Sequence, residues 1–151
     1  MFEEFPEPEE ELKRADHLVF VTLKYTRTTD VIKNAIKRLI NACDLITREA
    51  LYHAHKKKKL KAIPTNVKSQ QETLLKVIKK KEIKDFVDFY KLLRKIDVSG
   101  YSSKSEYRKH VTLIAHLEKN KNYEVDVDRL LQFYERTKSY VEYIRAWMQG
   151  K

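Results

Sequence analysis

Between Thr28 and Lys58 the chain places an apolar residue every three or four positions, at Ile32, Ala35, Ile36, Leu39, Cys43, Ile46 and Ala50, with no Pro or Gly to interrupt the pattern. That spacing lines these side chains along one stripe of an α-helix, whereas a strand would send every second residue to the opposite face. Thr28 and Thr29 offer hydroxyl oxygens to cap its first amides. A helix reaching about Lys58 therefore dominates the expected fold, which is mainly α.

The flanking sequence extends this plan. Residues 1–11, with Pro6 and Pro8 among glutamates, read as a flexible acidic arm outside the core. Leu12 to Tyr25 contains the apolar run Leu18 to Leu23, which fits a first helix or, because Val19, Phe20, Val21 and Thr22 are β-formers, a strand. Beyond Pro64, Ser69 and Glu72 have the spacing of a capping box and open a short helix through Val77 and Ile78. Glu82 to Ile96 is amphipathic through Ile83, Phe86, Val87, Tyr90 and Leu93, and Asp97 to Ser105 reads as a loop.

The period then changes. Val111 to Leu117 and Tyr123 to Val127 favour strands joined by Glu118 to Asn122, a β-hairpin spanning about 111–127. Asp126 or Asp128 caps a last helix whose aromatic-rich seam runs through Phe133, Tyr140 and Trp147. The seam reads first as core and second as a homodimer interface, since Tyr and Trp serve both. Residues 12–151 thus form one helical-bundle domain with one β-hairpin insertion.

Composition narrows function mostly by exclusion. Only two glycines occur, Gly100 and Gly150, so glycine-rich phosphate loops, dinucleotide fingerprints and nucleophile elbows are ruled out. No cofactor and no small-molecule substrate is suggested. The single Cys43 has no partner for an internal disulfide and reads as a core filler, and no apolar run approaches the length of a membrane span. A soluble, cytoplasmic protein is expected. Lys and Glu dominate the charged set, a balance found in proteins of hyperthermophiles.

Charge points to a polyanionic partner. The 32 Lys and Arg exceed the 22 Asp and Glu, giving a net charge of +10, and six of the acids lie before Lys13. His53 to Lys81 holds ten Lys, no Arg and one acid, Glu72. All but Lys68 fall in two runs, Lys56, Lys57, Lys58, Lys59 and Lys61, then Lys76, Lys79, Lys80 and Lys81. Lysine is a compact, strongly hydrated charge suited to phosphate contact, while base edges are read mainly by bidentate Arg. Shape or backbone recognition is therefore expected, with solvated surface as the plainer alternative.

Catalytic chemistry has one candidate. His53 and His55 are two apart on a helix, point to different sides and match no metal-binding spacing, so no metal site is expected. On a regular helix Asp44, Arg48, Tyr52, His55 and Lys59 share a stripe. Such a His could move the 2′-hydroxyl or leaving-group proton in RNA cleavage, with Arg48 and Lys59 stabilising charge on the phosphorane. A plain polar helix face accounts for the same residues.

A helical bundle carrying Arg48, Glu49, Ala50, Leu51, Tyr52, His53 and His55 resembles the HEPN superfamily, whose ribonuclease members carry Arg followed by His after four to six residues. The shorter gap pairs Arg48 with His53 and the longer pairs Arg48 with His55. The resemblance implies a homodimer whose motifs face one another across a cleft and cut RNA without metal or, in degenerate members, only bind it. The leading expectation is non-catalytic binding of structured RNA or a ribonucleoprotein surface, for example a ribosomal subunit, by a homodimer. A HEPN-like ribonuclease or toxin is the alternative, and a protein-interaction adaptor the third.

Overall fold

A computed structural model of the protein describes residues 7–150 and is mainly helical, with a small antiparallel sheet. In order, the chain forms α1 (Pro8–His17), a π-helical turn (Leu18–Thr22), α2 (Leu23–Tyr25), α3 (Thr29–Lys56), α4 (Val67–Val77), α5 (Lys81–Val98), strands β1 (Gly100–Lys104), β2 (Thr112–Glu118) and β3 (Lys121–Val125), and α6 (Val127–Met148).

The α3 helix is the axis of the molecule, packing against α1, α4, α5, α6 and β2. Every apolar position of its repeat is fully buried, and so are Ala42, Leu51 and Ala54 off the main stripe. Its alanines let neighbouring helices approach closely, so burial extends well around the helix. Thr28 Oγ1 caps it by accepting from the Val31 amide at 3.4 Å. Its end falls at Lys56, two residues short of the expected boundary, because Lys58 turns left-handed at φ 61°.

The acidic arm is corrected in its described part. Pro8 sits in the first turn of α1, where its missing N–H costs nothing, and both Pro8 and Glu11 are buried. Residues 1–6 lie outside the described residues. The run from Leu18 is helical, and its β-branched residues fall in the π turn, where crowding against the preceding turn favours a wider coil. Asn66 caps α4, its Oδ1 accepting from the Ser69 amide at 2.8 Å, so Ser69 lies inside the helix and opens no capping box. Asp126, not Asp128, caps α6 by accepting from the Arg129 amide at 2.7 Å.

The hairpin exists, with one more strand than expected. Residues within the segment read as a loop form β1, which pairs antiparallel with β2 from Gly100 opposite His116 to Lys104 opposite Thr112. All of β1 is exposed, so no hydrophobic alternation marks it in the sequence. The β2 and β3 strands pair from Leu113 opposite Val125 and slip register between His116 and Glu118. Leu113, Ala115 and Val125 face the core, and Tyr123 stacks on Phe133 with ring centroids 6.2 Å apart.

Candidate nucleic-acid interface

Both lysine runs flank helix ends. The first follows the close of α3, where the Lys58 amide donates to the His55 carbonyl at 3.0 Å and the Lys59 amide to the Ala54 carbonyl at 2.9 Å. These bonds make a Schellman motif whose left-handed position, usually glycine, is Lys58. Cations here also suit the negative end of the helix dipole. Lys56, Lys57, Lys58, Lys59 and Lys61 are all exposed.

The second run links α4 to α5. Ile78 is anchored in the core at 2% exposure, and Lys79, Lys80 and Lys81 follow it in solvent, with Lys76 one turn earlier on α4. Lys80 is the N-cap of α5 but offers no side-chain oxygen to its amides. Three ammonium groups therefore gather at the positive end of a helix dipole, where anions, not cations, are stabilised.

Contacts with α6 bring the runs to one end of the bundle. Lys59 Nζ stands 5.9 Å from the centroid of Trp147, and His53 meets the same ring edge-on at 5.6 Å. One turn back on α6, the Glu82 carboxylate at the start of α5 lies beside the Tyr143 hydroxyl and helps burial raise its pKa. Thus α3 and α6 finish where α5 begins. The nearby acids Glu9 and Glu49 are occupied by Arg145, at 2.7 and 2.8 Å.

The catalytic stripe is only partly assembled. Arg48, Tyr52 and His55 are exposed along one face of α3, seven residues from Arg48 to His55 being close to two helical turns. Lys59 lies beyond the helix end and leaves the stripe, a consequence of the left-handed turn at Lys58. Asp44 is drawn aside by Tyr90, whose hydroxyl donates to Asp44 Oδ1 at 2.6 Å. Burial raises the Asp44 pKa, with the Tyr90 hydrogen bond and then Arg94 and Arg48 opposing it. His53 faces Trp147, away from Arg48. His55 Nδ1 is 3.0 Å from the Leu60 carbonyl, a contact that restrains the ring of this exposed residue.

The aromatic seam is largely consumed within the chain. Phe133, expected at a dimer interface, is 2% exposed between Phe89 and Tyr123, a correction that follows from the sheet closing over it. Tyr140 packs on Phe86 and Phe89, and Trp147 on His53, both remaining partly exposed. Cys43 is fully buried, and desolvation pushes its thiol pKa far up.

Among the described residues no group of His, Cys, Asp or Glu is arranged to hold a metal ion, and no helix is long and apolar enough to cross a membrane. An open groove of about 280 Å³ between α5 and α6 is lined by Asp85, Asp88, Phe89, Leu92, Arg136 and Tyr140. The chain matches no family model, no curated protein and no solved structure.

Proposed function

We propose that the protein binds structured RNA or a ribonucleoprotein surface without cleaving it, through phosphate contacts made by Lys56, Lys57, Lys58, Lys59, Lys61, Lys76, Lys79, Lys80 and Lys81. The observation that carries this reading is that both lysine runs are exposed and that packing of Lys59 on Trp147 and of Phe86 on Tyr140 turns the end of α3 and the start of α5 toward the same end of α6. Lysines set against the positive end of the α5 dipole raise a local potential that a phosphate would relieve. The residues favour backbone over sequence, because these runs contain no Arg to read a base edge. The reading does not depend on a second copy of the chain.

Co-sedimentation of the protein with ribosomal subunits and with a structured RNA, at two salt concentrations, tests it. Salt-sensitive association with intact RNA, weakened when Lys79, Lys80 and Lys81 become Ala, is the expected result. Binding indifferent to both salt and those substitutions would overturn it.

One observation favours a second reading, a metal-independent ribonuclease of the HEPN kind. Arg48, Tyr52 and His55 share an exposed face, with His55 restrained through its Nδ1, whereas His53 is turned against Trp147. This reading selects Arg48 with His55 as the working pair. It requires defined RNA cleavage by the unaltered protein that Arg48→Ala abolishes while binding persists.

A further inference from the structure

At the end of the bundle remote from the lysine runs, two loops are clipped together. The Tyr107 amide donates to the Arg27 carbonyl at 2.6 Å, joining the α2 to α3 connection to the β1 to β2 connection. Thr29 secures the same junction, its Oγ1 2.7 Å from Ser103 Oγ and donating to Glu106 Oε1 at 2.9 Å. Ser105 and Tyr107 are held at φ 57° and 67°, left-handed conformations that a bulky residue such as Tyr adopts only when its surroundings impose them.

This fixed junction displays the most exposed aromatic side chains among the large hydrophobic residues described. Tyr25 is 86% exposed and Tyr107 77% exposed. Neither side chain packs on the core. Lys24, Arg27, Lys104, Arg108, Lys109 and His110 lie on the same two loops or their margins. Two acids lie nearby, Glu106 accepting from Thr29 and Asp30 from the Tyr101 hydroxyl at 3.1 Å, and the cations outnumber them. Open aromatic rings on loops with an excess of cations match the chemistry of an unpaired nucleic-acid strand, in which bases stack on π faces while phosphates meet the cationic side chains.

We infer that the surface formed by Tyr25, Arg27, Lys104, Tyr107, Arg108 and Lys109 binds single-stranded RNA, with successive bases stacking on Tyr25 and Tyr107. It is a separate surface from the lysine end, since the 28 residues of α3 hold the two roughly 40 Å apart. Arg appears here and is missing from the lysine runs, which adds a planar cation for stacking and bidentate phosphate contact. The junction needs no ordering on binding, because its backbone is pinned by Thr29 and Arg27 before any ligand arrives.

The test uses the full chain with a short oligouridylate carrying 4-thiouridine and, in parallel, a blunt RNA duplex. Photo-crosslinked peptides are mapped by mass spectrometry, and affinities are measured for the Tyr25→Ala, Tyr107→Ala double variant and for Tyr107→Phe. The expected result is adduct formation on Tyr25 or Tyr107, with oligouridylate affinity lowered at least about five-fold in the double variant and retained in Tyr107→Phe, which keeps the ring. Duplex affinity should be unchanged. Unaltered oligouridylate binding in the double variant, adducts confined to peptides containing Lys56 to Lys61 or Lys79 to Lys81, or no oligouridylate binding at all would overturn the inference. Failure of the unaltered protein to bind the duplex while it binds oligouridylate would instead remove the lysine-end reading and leave this one standing.

Discussion

Arg145 and Glu9 meet across 136 positions of sequence as a two-pronged ion pair, Nε reaching Oε2 and Nη2 reaching Oε1, both at 2.7 Å. The third nitrogen, Nη1, donates to Glu49 Oε1 at 2.8 Å, so one guanidinium ties α1 to α3 and α6. The geometry uses the planar fork that distinguishes Arg from Lys. It also gives Glu9 a structural task that a flexible arm outside the core would not have.

Glu9→Gln should therefore lower stability by about 1 kcal/mol or less, the range for a partly exposed ion pair, without tightening RNA binding. The Arg145 hydrogen bond holds the Glu9 carboxyl below its usual pKa, against an opposing contribution from burial. A depressed native pKa contributes stability that is present above the unfolded value and lost as pH falls through the native one. Urea unfolding of both proteins from pH 7 to pH 3 checks this: the gap between them should close toward the acid end.

Asp44 should behave in the opposite sense. Its native pKa is raised by burial, so the folded state holds a proton the unfolded state releases, and its contribution falls as pH climbs from about 3.8. Asp44→Asn keeps an oxygen to accept from Tyr90 and removes the charge. Its stability at pH 7 is expected to equal or exceed that of the parent in denaturant titration. A loss above about 1 kcal/mol would show that the charge itself is needed.

Lys58→Gly separates folding from binding at one position. Glycine accepts the left-handed backbone that Lys58 adopts at φ 61°, so thermal or urea unfolding should report a gain of about 1 kcal/mol. The same substitution removes a cation from the proposed interface, and RNA affinity at low salt should drop. A stabilised variant with full affinity would place Lys58 outside the interface.

Replacing Lys79, Lys80 and Lys81 together by Ala should flatten the dependence of log binding constant on log salt by roughly one for each phosphate that is no longer neutralised. The weakening should be similar across RNA sequences. Melting temperature should hold or rise slightly, since these side chains are in solvent and their charges oppose the α5 dipole.

How far the sequence discloses the fold depends on whether an element buries a periodic face. The α3 repeat was legible because Ile32, Ile36, Leu39, Cys43 and Ile46 all reach zero exposure, and α5 and α6 follow for the same reason. The β1 strand was not, because Gly100 to Lys104 buries nothing and is held by backbone pairing to β2. The arm misled through composition: Glu9 and Glu11 look solvated until Arg145, and Arg38 with Asn41, are seen to meet them from 136, 27 and 30 positions away. In the candidate site, the lysines were readable as charge, but their gathering depends on Trp147 and Tyr143. The Tyr25 and Tyr107 pair has no local signature, since a tertiary hydrogen bond between distant loops creates it.

Because α1, α4, α5, α6 and the sheet each lean on α3, the described residues offer no plane along which they could open into two stable halves. Loss of any one layer uncovers part of the same central helix, so unfolding of the described residues is expected to be a single cooperative event. The amides in the middle of α3 exchange with deuterium only through that event, while those at the free edge of β1 exchange far sooner.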